Sequence, residues 1–120
     1  MKLTEEDTKA RKITPAIQAS GWKIEQIYFE HQFTDCKVIV NGKTEKRLKK
    51  KKVDYLLTNY SNFPIAIVEA KAEEHQIDTG IQQAIDYARI LGVPFAYSSN
   101  GEGFLEHDML KGTERHLTMS

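Results

Sequence analysis

Between residues 49 and 71 the chain reads KKKKVDYLLTNYSNFPIAIVEAK, two apolar runs that each carry charge where a buried strand tolerates it poorly. Residues 53–60 and 65–70 are rich in β-branched, aromatic and aliphatic types, and Ser61-Asn62-Phe63-Pro64 separates them with turn formers. An antiparallel hairpin is the economical arrangement. With the turn centred between Ser61 and Asn62, paired positions sum to 123, so Tyr60 faces Phe63 and Asp54 faces Glu69. Opposed side chains share a face, with Cα atoms about 4.5–5.5 Å apart. Lys71, two residues beyond Glu69, returns to that face. Opposed carboxylates on an apolar sheet repel, and a divalent cation together with the lysine would supply the missing positive charge. Against this stands the blander reading, in which a Glu-Ala-Lys triplet is exposed charge at a strand end and a single bulge reverses Asp54. The rest of the chain decides between them.

At 120 residues the chain is read as one domain, residues 1–120, with a single core. The one cysteine, Cys36, excludes an internal disulfide and fits a reducing cytosol. No apolar stretch approaches the roughly 18 residues that span a bilayer, and MKLTEEDTKARK lacks the apolar centre of a signal peptide. A cytoplasmic location without membrane contact is expected. Net charge is zero, but residues 43–52 hold seven of the 17 Lys and Arg and one of the 17 Asp and Glu, leaving 10 basic against 16 acidic residues elsewhere. This run, ending in Lys49, Lys50, Lys51 and Lys52, is either a solvated arm or a phosphate-contacting stripe that leads to Asp54.

In chain order, Thr4 followed by Glu5, Glu6 and Asp7 predicts a capped helix start, and Ile13, Ala16 and Ile17 continue its apolar face to Gly21. Pro15 predicts a kink or break near Thr14. A strand is expected over residues 24–30, and Asn41-Gly42 predicts a hairpin whose arms are 37–40 and 43–48. Beyond Lys71 a polar loop leads to a helix capped by Asp78 or Thr79, with Ile81, Ala84, Ile85, Ala88 and Leu91 on one stripe and Gly92 as its stop. Gln83 and Tyr87, four apart, flank that stripe together. Residues 93–98 then read as a strand parallel to the one before the helix, and 103–107 as a last strand. Residues 108–120 carry little pattern and are expected to be a loose end.

There is no GxxxxGK[ST] phosphate loop and no dinucleotide fingerprint, and four scattered histidines with one cysteine give no zinc spacing. What remains is a pair of hard oxygen ligands, Asp54 and Glu69, which favour Mg2+ or Mn2+ over zinc. With Lys71 beside them and a basic approach, such a site suits phosphodiester hydrolysis.

Asp54 followed by Glu69-Ala70-Lys71 resembles the PD-(D/E)xK nuclease motif. The flanking stretches narrow the likeness: Thr4-Glu5-Glu6-Asp7-Thr8-Lys9 with Thr14-Pro15-Ala16 and Gly21-Trp22; Val53-Asp54-Tyr55; Ile67-Val68-Glu69-Ala70-Lys71-Ala72; and Gln83-Ala84-Ile85-Asp86-Tyr87-Ala88 with Pro94-Phe95 and Ser98-Ser99-Asn100-Gly101. Together these are similar to the N-terminal endonuclease domain of the R (motor and restriction) subunit of type I restriction enzymes. The resemblance implies an α/β fold, a restriction-endonuclease-like core with a central mixed β-sheet flanked by α-helices. It implies that Asp54, Glu69 and the Ala70 carbonyl hold Mg2+, for which Mn2+ can substitute, and that Lys71 is the catalytic lysine. Gln83 and Tyr87 match the family's QxxxY element, and Glu5 matches the acid of its first helix. It further implies double-stranded DNA as substrate, phosphate contacts through Lys49–Lys52 without base readout, and methyltransferase and specificity subunits as partners. ATP would enter only through a motor region that follows this domain in the family, so the chain is expected to be the N-terminal piece of a longer subunit. The alternative on the same fold is a catalytically silent DNA-binding or assembly module.

Overall fold

The computed structural model describes residues 3–35, 49–72, 76 and 80–118. Strands β1 (Ile27–Asp35), β2 (Lys49–Thr58), β3 (Pro64–Ala70), β4 (Phe95–Ser99), β5 (Gly103–Asp108) and β6 (Thr113–Thr118) form one six-stranded sheet in that order. Every neighbouring pair is antiparallel except β3 and β4, and helix α3 (Ile81–Leu91) lies between those two in sequence. The expected α/β architecture, a mixed sheet with helices, is therefore present. The expected 37–48 hairpin and the Asp78 or Thr79 cap lie outside the described residues. Gly80 occupies the N-cap position of α3, and Gly92 ends the helix in the left-handed conformation at φ 71°.

The N-terminal segment is a short α1 (Glu5–Thr8), a π-helical turn over Lys9–Ile13, and α2 (Thr14–Ala19). Thr4 caps it as expected, its Oγ1 accepting the Asp7 N–H at 3.2 Å. The break anticipated from Pro15 takes the form of the widened turn: the Thr14 N–H reaches back five residues to the Lys9 carbonyl, and Pro15 enters α2 at its first turn, where its missing N–H costs little.

The sheet is covered on both faces. Ile13 and Ile17 pack with Ile27, Tyr55, Leu57, Ala66, Val68 and Ala70. Ala84, Ile85 and Ala88 of α3 pack with Val53, Leu56, Ile67, Val93 and Ala96. Each fully buried aliphatic side chain is worth about 1.5–3 kcal/mol of transfer free energy, so the two layers together hold the sheet.

Three expectations need correction. Residues 24–26 form a 3-10 turn and not the start of a strand. The cause is Gln26, buried so that its side chain accepts the Lys23 N–H at 3.0 Å and donates to the Thr58 carbonyl at 3.1 Å. Tyr60 and Phe63 are exposed in the β2–β3 turn and do not face each other, because the ladder shifts between Leu57 and Thr58. Asn59 organises that turn, its Oδ1 accepting the N–H groups of Ser61 and Phe63. Finally, the expected loose end contains β6, paired with β5 from Gly103↔Thr118 to Asp108↔Thr113. Asp108 Oδ1 accepts the N–H groups of Leu110 and Lys111, and Gly112 at φ 70° completes the turn.

Candidate active site

Strands β2 and β3 pair as Tyr55↔Val68, Leu56↔Ile67 and Leu57↔Ala66, the register in which positions sum to 123. The ladder stops at Tyr55, and one step further the pairing passes to side chains: the Ala70 N–H donates to Asp54 Oδ2 at 2.8 Å. Glu69 lies within electrostatic reach of Asp54, whose charge acts on its carboxyl. The ladder has the expected register but ends one step short of the Asp54–Glu69 pair, and the two carboxyls meet where the strands part. Both are buried, at 7% and 4% exposure.

A local irregularity shapes this point. Tyr55 and Leu57 pack with the N-terminal helix layer, yet Val53 packs with α3, so the strand exchanges faces at Asp54. On β1 the ladder has Phe29↔Tyr55 and His31↔Val53 with no Glu30–Asp54 pair between them, and Glu30 adopts a left-handed backbone at φ 53°. The consequence is a carboxylate aimed along the sheet and not squarely out of one face.

The charges around the pair decide its protonation. Burial, and then the charge and side-chain hydrogen bond of Asp54, push the Glu69 carboxyl up to about 8, against the opposing pull of the Asp54 backbone N–H and of Lys71. Glu69 Oε1 is buried and has no hydrogen-bond partner. A buried carboxylate oxygen without a donor is a costly arrangement that a cation relieves. Among the described residues no group of three or more His, Cys, Asp or Glu side chains converges. The donor set on offer is instead two carboxylates and, on the strand that bears Glu69, the carbonyl of Ala70. These are hard oxygen donors, and they fit Mg2+ or Mn2+ better than a softer metal.

Lys71 follows directly. Its N–H donates to the Ser99 carbonyl at 2.8 Å. Its stem runs beside Ser98 at the entrance to α3: a Cβ on Gly80 would lie 3.0 Å from Ser98 Oγ and 3.1 Å from Lys71 Cε. Glycine there leaves the lysine its place. On α3, Gln83 lies one turn before Tyr87, and burial followed by the Glu69 charge raises the Tyr87 hydroxyl, which places Tyr87 within electrostatic reach of the carboxylates. Tyr87 also meets Phe33 edge-on at 5.1 Å between ring centres, and Lys51 Nζ stands 5.5 Å from its ring.

The basic run is divided by strand alternation. Lys51 turns toward Tyr87, Lys50 is exposed, and Lys52 pairs with Glu30. Glu5 sits half-exposed in α1, one helical turn before the residue through which the N-terminal segment touches the site. That residue is Lys9, missed by the sequence reading. Its ammonium lies 2.7 Å from Asp54 Oδ1 and 2.7 Å from Glu30 Oε2. Burial works against its charge, but the hydrogen bonds and charges of Asp54 and Glu30 outweigh that and raise its pKa. Glu30 is in turn held down to about 2 by hydrogen bonds from Lys52 and Lys9. A signal was available: Lys9, Ile13 and Ile17 recur every four residues, so this lysine lies on the apolar stripe of its helix.

Comparison with known proteins places the chain. Residues 17–119 match the family described as type I restriction enzyme R protein N terminus. The chain is 44% identical over 107 residues to the type I restriction enzyme EcoAI endonuclease subunit of Escherichia coli, covering 88% of this chain and 13% of that protein. It also superposes with a TM-score of 0.82 and 44% identity on a fragment assigned as an HsdR subunit of a type I restriction enzyme from Vibrio vulnificus, covering 98% of this chain and 23% of that one. The chain thus spans a small part of the length of the relatives it matches. With the family model covering most of its residues, this chain belongs to the family of type I restriction enzyme R protein N-terminal regions.

Proposed function

We propose that this domain is the Mg2+-dependent endonuclease module of a type I restriction system, hydrolysing phosphodiester bonds of double-stranded DNA through a PD-(D/E)xK site without reading sequence itself. The observation that carries the reading is that Asp54 and Glu69 are both buried, with Glu69 Oε1 left without a donor, on the strand that Lys71 directly follows.

Asp54, Glu69 and the Ala70 carbonyl hold the cation. Bound there, Mg2+ would supply the positive charge that polarises a phosphate and acidifies water. Lys71, whose charge already acts on Glu69, stabilises negative charge that develops on the phosphate oxygens. Gln83 and Tyr87, one turn apart on α3, give that side a polar edge against which the sugar-phosphate chain or a water is oriented. Glu5, in the first helix, contributes acidity further out. Lys50, Lys51 and Lys52, with Lys49 before them on the same strand, approach the phosphates and set the salt dependence of binding. The methyltransferase and specificity subunits are the partners, and ATP acts only through a motor region elsewhere in the full-length subunit.

Calorimetric titration with Mn2+ tests the site directly. Wild-type protein is expected to bind one or more ions, and Asp54→Ala and Glu69→Ala to lose that binding. Supercoiled plasmid with Mg2+ or Mn2+ tests the chemistry, with nicking expected from wild type and not from Glu69→Ala. Salt-sensitive DNA binding that needs no metal and survives both substitutions would replace the nuclease reading with a silent DNA-binding module on the same fold.

A further inference from the structure

We infer that Lys9 is a positioning residue for Asp54: its buried ammonium holds one carboxylate oxygen while the Ala70 N–H holds the other, so the side chain is fixed beside Glu69 before any cation arrives. The inference rests on the proposed metal site for its purpose, and on geometry for its content.

Asp54 Oδ1 lies 2.7 Å from Lys9 Nζ and Oδ2 accepts the Ala70 N–H at 2.8 Å. A carboxylate gripped at both oxygens from different elements has one orientation. Without Lys9, Asp54 Oδ1 would lose its donor and the Ala70 N–H alone would leave the buried side chain free to turn. Lys9 reaches this place because its own position is fixed from several directions. Its ammonium has a second anchor in Glu30 at 2.7 Å. Its carbonyl takes the Thr14 N–H across the π-helical turn, and the Tyr55 hydroxyl reaches the same carbonyl at 3.4 Å while bonding Thr14 Oγ1 at 2.8 Å. The helix is pressed close by the Asn100-Gly101 turn: at Gly101, φ 89°, a Cβ would fall 2.7 Å from Thr8 Cγ2 and 3.1 Å from Lys12 Cδ. Only a glycine permits that approach on either side of Lys9. Lys9 precedes residues 17–119, the part matched by the family, so the assignment adds a segment that the family match leaves unexplained.

The test compares wild type with Lys9→Met and with Glu30→Gln, the latter at a half-exposed residue whose loss frees Lys9 from one anchor without threatening the core. Amide hydrogen exchange is read by NMR on metal-free protein as the ratio of Ala70 to Val68, which share β3. A merely structural role for Lys9 would speed both amides together. Positioning of Asp54 predicts a rise in the ratio of about tenfold in Lys9→Met, the loss of one good hydrogen bond, and a smaller rise in Glu30→Gln. Mn2+ affinity measured on the same samples is expected to fall by about ten- to a hundred-fold in Lys9→Met, the range for a group that orients a metal ligand. An unchanged ratio in both variants, or Lys9→Met binding Mn2+ as tightly as wild type, would overturn the assignment. Absence of Mn2+ binding in wild type would overturn the metal site and not the Lys9 contact, which the amide ratio decides by itself. Should Lys9→Met fail to fold, Glu30→Gln carries both readouts alone.

Discussion

Two glutamates are buried on strands of the same sheet, Glu69 at 4% exposure and Glu106 at 8%, and their surroundings differ in kind. Glu106 Oε2 accepts the Tyr97 hydroxyl at 2.6 Å and Oε1 accepts Arg115 Nε at 2.7 Å. Burial raises its carboxyl, but those bonds and the Arg115 charge outweigh it, and the net displacement is downward. Glu69 has an oxygen with no donor and a second carboxylate beside it, and its net displacement is upward, to about 8. Burial alone therefore does not separate a satisfied carboxylate from an unsatisfied one. The count of donors does, since a satisfied oxygen has no further demand and an orphaned one still needs a proton or a cation.

Denaturant unfolding of metal-free protein across pH should expose the contrast most strongly. Glu69 has its folded pKa above the ordinary glutamate value of 4.5, so its contribution to stability is full below that value and is lost as pH rises through about 8. On the order of 2–4 kcal/mol should disappear over this window, and Glu69→Gln should flatten the profile. Glu106 runs the other way, its contribution present above 4.5 and lost as pH falls, because its folded pKa is depressed. If wild type and Glu69→Gln gave parallel profiles, the two glutamates would be alike after all. Truncation comes next: Glu106→Ala strands the Tyr97 hydroxyl and should cost about 2 kcal/mol in a urea melt. A gain would break the comparison from the opposite side.

Mn2+ sharpens it further. At pH 8, a free concentration tenfold above its Kd should stabilise wild type by about 1.4 kcal/mol, with no effect in Glu69→Gln and an undiminished effect in Glu106→Gln. Smallest is the substitution of the orphan itself, Glu69→Gln raising metal-free stability at pH 8 by about 1 kcal/mol, since an amide carries no charge to bury. A destabilised Glu69→Gln at that pH would mean that its carboxylate is better satisfied than its surroundings indicate.

The β2–β3 register through Tyr55↔Val68 was legible from the two apolar runs and the turn formers between them, although the Tyr60–Phe63 pairing it was counted from is absent and the ladder shifts between Leu57 and Thr58. The α3 stripe and its Gly92 stop were legible for the same local reasons. What escaped was non-local. The backbone reversal at Glu30 is invisible in sequence, because nothing about a glutamate in an aromatic strand announces φ 53°. Lys9 escaped because the reading of this stretch rested on its Thr4 cap and first-turn acids, although the four-residue spacing of Lys9 to Ile13 and Ile17 pointed inward. Strand β6 escaped because Thr-Glu-Arg-His-Leu-Thr alternates weakly, as an edge strand open to water does, and its pairing is set by the Asp108–Gly112 turn.

The π-helical turn at Lys9–Ile13 gives the N-terminal segment one residue of slack. Such a turn holds one residue more than an α-helix needs. Deleting a single codon there, Ala10 for instance, would turn the five-residue reach of the Thr14 N–H to the Lys9 carbonyl into an ordinary α-helical bond. The residues before the deletion would stay nearly in phase with those after it. A one-residue deletion at this turn should therefore be tolerated better than one inside a regular helix such as α3, where everything on one side rotates by about 100°.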